Sequence, residues 1–263
     1  MNIASVKYKF GKSTDTYDDN AYAQKEIAGK LAALISAIYS CNPKTVFEIG
    51  CGTGLLTKNI VPLFTDAYYY LNDINEKVEF LINTLFPKNN FTFIGGDALS
   101  IDFPHGMDLI MSSSTLQWFD NLNVFAQKAH RSLSTGGYMF LSSFGKNNLK
   151  EIRKITGTGL EYPSLETLRD LFVSGFEILH LSEEEIPVLF NSSTEILSHF
   201  RRTGVNANCS GIMRTQSGLR SFCDKYNEMF SDGTKVILTY NPVYLVLKKK
   251  NNNDWKSNFC NRN

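Results

Sequence analysis

Hydrophobic and polar positions follow two alternating periods along the first half of this chain. Residues 21–40 place Ile27, Leu31 and Ile35 on one helical face, and Asn42-Pro43 ends that pattern. Short apolar runs typical of strands then alternate with stretches of helical period. The strand-like runs are 45–50, 67–73, 91–97, 107–114 and 138–144, and the helical stretches are 54–64, 75–86 and 122–133. This alternation predicts βαβ units and an α/β fold with a doubly wound, mostly parallel sheet.

The second half of the chain is less regular. Residues 164–175 have a helical pattern, 176–190 read as a strand with a charged middle, and 235–249 form a long β-like run interrupted by Pro242. The segment between these strands is mostly helical, so we expect it to be an insertion over the ligand crevice. The predicted divisions are an N-terminal cap region at 1–40, a core at 41–190 and 235–250, a helical lid at 191–234 and a flexible tail at 251–263.

Composition narrows the function classes. The 263 residues are 43% hydrophobic, which suits one domain with an appendage. The formal net charge of +1 argues against bulk nucleic-acid binding. We find neither a membrane-spanning apolar run nor the apolar core of a signal peptide. The cysteines are odd in number and without a C-x-x-C pair, which favours reduced thiols, a cytoplasmic location and no metal site. They are Cys41, Cys51, Cys209, Cys223 and Cys260.

The stretch VFEIGCGTGLLTKNI, residues 46–60, brings an acid and three glycines to the end of a predicted strand. Gly50, Gly52 and Gly54 permit a tight turn with close backbone approach to a ligand. A dinucleotide fingerprint would need a different third glycine position, and a phosphate-binding P-loop would need a following Lys. The pattern E-x-G-x-G-x-G instead resembles the first motif of class I S-adenosylmethionine-dependent methyltransferases. That resemblance implies a seven-stranded Rossmann-like sheet in which Glu48 faces the ammonium group of the cofactor.

Further acids follow the second and third predicted strands. Asp73 offers two acceptors to a pair of ribose hydroxyls, and Asp97 suits the exocyclic amine of adenine, with the Ala98 amide near a ring nitrogen. The glycine-rich turn alone could be a packing turn, and Asp73 alone could be a helix N-cap, but three acids at successive strand ends together with that turn favour cofactor binding. The predicted cofactor-binding residues are Tyr17, Gln24, Glu48, Gly50, Cys51, Gly52, Asp73, Ile74, Asp97, Ala98, Ser112 and Ser113.

Four stretches outside the core carry a narrower resemblance. FGKSTDTYDDNAYAQKEIAGKL near the N-terminus, SSSTLQWFDN after the fourth strand, LFNSSTEILSHFRRTGVNA in the insertion and LTYNPVYLVLKK near the end resemble the malonyl-acyl-carrier-protein O-methyltransferases of biotin synthesis. The resemblance extends to about residue 250. Two positions depart from it: Ser stands where relatives have Asn in SSSTLQW, and LSTGG lacks a turn proline. The resemblance implies methylation of the free carboxylate of a malonyl thioester on acyl carrier protein.

Such a reaction needs no general base, because a carboxyl group with a pKa of about 4 is already ionised at neutral pH. The sequence agrees, since its four histidines are dispersed and we assign no catalytic base. The predicted substrate-binding residues are Tyr17, Gln117, Trp118, Arg201 and Arg202. Arg201 and Arg202 can grip a carboxylate, or one of them can face the acidic carrier protein. Arg214, Arg220 and Lys225 can form a basic side of the same surface, although a solvated helix face is the simpler interpretation.

Two alternatives stay open on the sequence. One is a methyltransferase for another small carboxylic acid or a hydroxyl group, and the other is a cofactor-binding sensor without catalysis. The acids at the strand ends argue for binding in every case, so they do not discriminate. A nucleic-acid methyltransferase is disfavoured because TYNPVY lies in the final predicted strand rather than after the fourth one.

Overall fold

The computed structural model describes residues 17–203 and 215–251. Its central sheet has seven strands in the order β3-β2-β1-β4-β5-β9-β6, with β9 antiparallel to both neighbours and the first five strands parallel. The strands are β1 (Thr45–Ile49), β2 (Tyr68–Asp73), β3 (Phe91–Gly95), β4 (Met107–Ser113), β5 (Leu133–Phe144), β6 (Phe176–Glu183), β7 (Ile186–Phe190), β8 (Val236–Tyr240) and β9 (Pro242–Lys249). The doubly wound, mostly parallel sheet predicted from the sequence is therefore confirmed.

Helices cover both faces of the sheet. They are α1 (Tyr22–Ile38), α2 (Thr57–Ile60), α3 (Glu79–Asn83), α4 (Leu122–Ser132), α5 (Lys150–Thr156), α6 (Leu165–Phe172), α7 (Ser193–Thr203) and α8 (Gln216–Phe230). Short 3₁₀ turns occupy Glu76–Val78 and Leu116–Trp118. None of the helices in the described ranges is long and apolar enough to span a bilayer.

Adjacent residues of one strand point into different cores. Val46 belongs to the core beneath α1, whereas Phe47 belongs to the core beneath α4 and α6. A sheet covered on both faces needs near-continuous apolar strands, which is the pattern that the sequence shows. The apolar face predicted for α1 is also observed, since Ile27, Leu31 and Ile35 are fully buried.

Several element boundaries differ from the sequence prediction. The helix predicted at 54–64 is regular only over Thr57–Ile60, and the helix predicted at 75–86 begins as a 3₁₀ turn capped by Asn75, which accepts from the Lys77 amide at 3.3 Å. Helix α5 was not predicted. Residues 135–137 lie inside β5 at a register shift against β4, where Gly136 has a φ angle of 73°.

The single strand predicted at 176–190 is also wrong. It divides into β6, which pairs with β9, and β7, which pairs with β8 in a separate two-stranded sheet. The break falls at Glu184, whose backbone amide donates to Pro242 O at 3.1 Å and whose carboxylate binds Lys30 at 2.9 Å. The segment inserted between β6 and β9 thus contains β7, α7, α8 and β8. The prediction that 191–234 forms a lid stays a prediction.

Candidate active site

Two adjoining cavities lie where the parallel strands end. The larger one, called here the first chamber, has a volume of about 150 Å³ and is lined by the segments that follow β1, β2, β3 and β4. The second chamber, of about 20 Å³, lies beside it and shares Tyr17, Gln24, Ser114 and Trp118 with its wall. The first chamber spans the junction of β1 and β4, the switch point at which doubly wound sheets bind their ligands.

The glycine turn after β1 forms one wall of the first chamber. Gly50, Gly52 and Gly54 have φ angles of 70°, 52° and 81°, in the left-handed region that favours glycine. A Cβ atom at Gly50 would lie 2.3 Å from Thr115 Oγ1, so this glycine is required by packing. A Cβ atom at Gly52 would meet no atom within 4 Å. Of the three glycines, Gly52 is therefore the one that leaves open space, and it lines the first chamber.

Glu48 is a buried carboxyl group in this wall. Its side chain is 1% exposed and accepts a hydrogen bond from Thr57 Oγ1 at 2.6 Å. Burial raises the pKa of Glu48 to about 8, and the nearby Asp73 also raises it, while the Thr57 hydroxyl opposes the shift. A cationic group bound beside Glu48 would favour its ionised form, so the site is suited to an ammonium ligand.

Asp73 joins the glycine turn to the end of β2. Its Oδ2 accepts from the Gly52 amide at 2.8 Å, and its Oδ1 accepts from the Asn75 amide at 2.7 Å. Burial raises its pKa, and the two amide hydrogen bonds oppose that rise. Each oxygen still has acceptor capacity for a ligand hydroxyl. Asp73 thus holds the turn in addition to facing the chamber, a role that the sequence did not reveal.

Asp97 follows β3 at the same edge of the sheet. Its two oxygens accept from the Leu99 amide at 3.1 Å and the Ser100 hydroxyl at 3.0 Å. Both Asp97 and Ala98 line the first chamber, as does Ile74 after β2. Cys51 lines it through the glycine turn, and burial raises the pKa of its thiol, which is consistent with an unreactive side chain.

The two predicted serines differ in position. Ser113 lines the first chamber, whereas Ser112 is fully buried outside it and donates to Ile49 O at 2.7 Å. Ser112 therefore holds β4 against the end of β1. Ser114, which follows Ser113, was not predicted from the sequence as a site residue. It lies in both chamber walls with a φ angle of 53°.

Asn72 is a second residue that sequence reasoning missed. Its carbonyl oxygen accepts from the Gly50 and Cys51 amides, and its side chain donates to Ile94 O at 2.8 Å and Gly96 O at 2.9 Å. It thereby ties the loops after β1, β2 and β3 together. In the sequence, only the position of Asn72 next to Asp73 indicated a role at the site.

Tyr17, Gln24 and Trp118 line both chambers, and Gln117 lines the second one. Within the described part of the chain, Gln24 Oε1 and Gln117 Oε1 are buried and have no hydrogen-bond partner. Buried acceptors of this kind are rare unless a ligand or water satisfies them. Together with the open space at Gly52 and the carboxyl groups of Glu48 and Asp73, they provide acceptors that fit the ammonium, hydroxyl and amine donors of S-adenosylmethionine.

The predicted arginines lie elsewhere. Arg201 and Arg202 are exposed near the end of α7 and belong to the wall of neither chamber, and Arg202 Nη1 lies 3.4 Å from Asn20 Oδ1. Arg220 and Lys225 are exposed on α8, and Arg214 lies outside the described residues. Among the described residues, neither chamber wall includes one of these cations, and their role in substrate binding stays a prediction.

Comparison with known proteins agrees with this geometry. A family profile described as "Methyltransferase domain" matches residues 47–141, which include β1 to β4 and the glycine turn. The chain also resembles a structure of a candidate methyltransferase from Bacillus halodurans, with a TM-score of 0.62, 14% identity, and 84% of this chain and 98% of that chain covered. At this identity the likeness shows the fold alone.

Two curated relatives are similar over nearly the whole chain. A malonyl-[acyl-carrier protein] O-methyltransferase from Bacteroides thetaiotaomicron is 37% identical, with 95% of this chain and 99% of the relative covered. A protein of the same name from Bacteroides fragilis is also 37% identical, and the match covers 93% of this chain but about half, 50%, of that relative's length. The chain belongs to the malonyl-[acyl-carrier protein] O-methyltransferase family, a branch of the class I methyltransferases.

Proposed function

We propose that this protein transfers a methyl group from S-adenosylmethionine to the free carboxylate of malonyl-acyl carrier protein, an early step of biotin synthesis. The observation that carries the proposal is the coincidence of near-full-length similarity to enzymes of that name with a chamber that has carboxyl groups at successive strand ends. When bound, S-adenosylmethionine supplies an activated methyl group on a sulfonium centre.

In the first chamber, the residues of this chain bind and orient the cofactor. We assign Glu48 to its ammonium group, Asp73 to its ribose hydroxyls, and Asp97 with Ala98 to its adenine. Tyr17 and Gln24, in both chamber walls, would separate the reacting methyl group from solvent.

The acceptor carboxylate is ionised at neutral pH and attacks the methyl carbon directly. The new bond joins a carboxylate oxygen to that carbon, the carbon–sulfur bond breaks, and the products are a neutral methyl ester and S-adenosylhomocysteine. No proton moves, so the protein supplies alignment and exclusion of water rather than a base.

We also propose that acyl carrier protein docks on the basic surface that includes Arg201, Arg202, Arg220 and Lys225. Their exposure suits a contact with an acidic partner better than a grip on a buried carboxylate. In this proposal residues 191–234 form the lid that the carrier protein approaches. We expect this reaction to take place in the cytoplasm, because the sequence favours reduced thiols.

The test is a methyl-transfer assay with labelled S-adenosylmethionine. Malonyl-acyl carrier protein, malonyl-CoA, free malonate and succinyl-acyl carrier protein are compared as acceptors. Selective labelling of the malonyl carrier supports the proposal. Preferential labelling of a free acid would move the protein to the small-acid alternative, and cofactor binding without transfer to any acceptor would identify a sensor.

A further inference from the structure

The outer wall of the second chamber is built from neutral hydrogen-bonding groups. Beyond the residues that it shares with the first chamber, its polar lining consists of Gln117, Asn148, Tyr162 and Tyr240. No lysine or arginine of the described chain lines it. Its volume of about 20 Å³ has room for roughly one water-sized group, so it suits the end of a substrate rather than a whole cofactor.

Tyr162 is held from behind by Asn148. The Asn148 side chain is buried, and its Oδ1 accepts from the Asn241 amide at 3.1 Å, which fixes Nδ2 as the donor. Asn148 Nδ2 donates to Tyr162 Oη at 2.9 Å. The phenol oxygen therefore acts as an acceptor on this side, and the phenol proton remains available to a ligand in the chamber.

Tyr240 is held in the same way by His199. The two side chains are buried, with His199 Nε2 2.6 Å from Tyr240 Oη, and His199 Nδ1 has no partner among the described residues. Burial lowers the pKa of His199 to about 4, against the opposing effect of Glu195, so the ring is neutral. A buried N–H without an acceptor is rarer than a buried acceptor without a donor, which places the ring proton on Nε2.

His199 therefore donates to Tyr240. Tyr240 also lines the second chamber, so its own phenol proton is available to a ligand in that cavity. Tyr162 and Tyr240 line the same cavity, and their ring centroids lie 6.3 Å and 6.1 Å from that of Phe144. The result is a pair of phenols that accept from the protein and can donate into one cavity.

We propose that Tyr162 and Tyr240 are the paired donors that bind and position the carboxylate of the acyl acceptor, with Asn148 and His199 as positioning residues behind them. This inference rests on the proposed function. A carboxylate has two oxygens and only accepts hydrogen bonds, which matches two neutral O–H donors. Neutral donors orient the attacking oxygen and leave its negative charge in place. An arginine would instead neutralise that charge in an ion pair. An acyl group without a carboxylate would leave both phenols unsatisfied, which gives the chamber its selectivity.

The test uses Tyr162→Phe and Tyr240→Phe in the full chain, with malonyl-acyl carrier protein as the varied substrate and saturating S-adenosylmethionine. Each variant is expected to raise KM for the malonyl carrier by about 10- to 100-fold, as for one hydrogen bond to a charged group. The Kd of the cofactor, measured by calorimetry, should change by less than about twofold. Tyr69→Phe is the matched control, since it removes a buried phenol that donates to Phe64 O at 3.0 Å away from both chambers.

His199 provides a second readout. His199→Gln keeps an N–H donor and should retain most of the affinity for the malonyl carrier, whereas His199→Leu should raise its KM as Tyr240→Phe does. If His199 had only a structural role, His199→Gln and His199→Leu would not differ in their KM for the malonyl carrier.

The outcomes separate the inference from the proposed function. An active wild-type enzyme whose KM is unchanged in both phenylalanine variants would overturn the inference alone. A wild-type protein that binds cofactor but leaves the malonyl carrier unlabelled would overturn the proposed function, and the inference with it.

Discussion

The two chambers differ in how far apart their lining residues lie along the chain. The first chamber draws most of its wall from residues 48–119, where each loop follows a strand of one parallel sheet. The second chamber combines residues from the N-terminal region and the loop after β4 with residues from the end of β5, the segment after it and the end of β8. A site at successive strand ends is local in sequence, whereas a site between the sheet and its insertion depends on long-range packing. Variants that alter only one chamber can therefore test whether the two chambers have separate roles.

The largest effect is expected for Gly50→Ala. The new Cβ atom would lie 2.3 Å from Thr115 Oγ1, and the φ angle of 70° costs a non-glycine residue about 1–2 kcal/mol. We expect cofactor affinity to fall by more than about 100-fold, measured by calorimetry. Gly29→Ala is the control because it lies within α1 with no atom within 4 Å, and it should keep full affinity and raise stability by up to about 1 kcal/mol.

The next effect is expected for Asp73→Ala. The change leaves the Gly52 and Asn75 amides without their acceptor and removes the proposed ribose contact, so the Kd of the cofactor should rise by about 100-fold. Asp66→Ala removes an exposed carboxylate paired with Lys88 at 3.0 Å and should leave this Kd unchanged. Equal cofactor Kd values for the two variants would contradict the assignment of Asp73.

Glu48 gives a smaller effect that depends on pH. Its pKa is about 8 in the folded protein against an ordinary value of 4.5, so the folded state keeps a proton that the unfolded state releases between these values. The free energy of unfolding of the cofactor-free protein should therefore fall as pH rises through this window, and Glu48→Gln should remove that fall. Denaturant unfolding at several pH values measures it.

Cofactor affinity should change with pH in the opposite direction. An ammonium group favours ionised Glu48, so wild-type affinity should rise by up to about tenfold per pH unit below pH 8. The Glu48→Gln variant should bind the cofactor weakly, and its affinity should lack this rise with pH. An identical pH profile in wild type and variant would show that Glu48 does not face the ammonium group.

The smallest effect is expected for Glu151→Gln, which tests the second chamber from a distance. Glu151 is buried and accepts from the Thr239 amide at 3.0 Å and the Thr239 hydroxyl at 2.6 Å, next to Tyr240. We expect a loss of about 1–3 kcal/mol in unfolding free energy and a rise of about threefold in KM for the malonyl carrier. Cofactor Kd should be unchanged. Glu185→Gln, at an exposed pair with Lys150, is the control and should change neither KM nor stability measurably.

The parallel fold and the first chamber could largely be predicted from the sequence. Apolar runs of strand length alternate with helical patterns, and Glu48, Asp73 and Asp97 each follow or end such a run. Because parallel strands end at the same edge of a sheet, chain position alone brings these side chains together. The bonds from Asp73 to the Gly52 and Asn75 amides were not predictable, since they depend on the exact path of the two loops.

The second chamber was decided by the tertiary structure. Tyr162, His199 and Tyr240 belong to no local motif, and their spacing follows neither a helical nor a strand period. Tyr240 meets His199 because β7 pairs with β8 in a separate sheet, which carries Tyr240 to α7 and into a cavity shared with the start of α1. The sequence by itself determined the sheet and the residues at its strand ends through local periodicity. Only long-range packing determined which polar side chains share a cavity, because buried hydrogen-bonding groups are paired by the whole fold rather than by their neighbours in the chain.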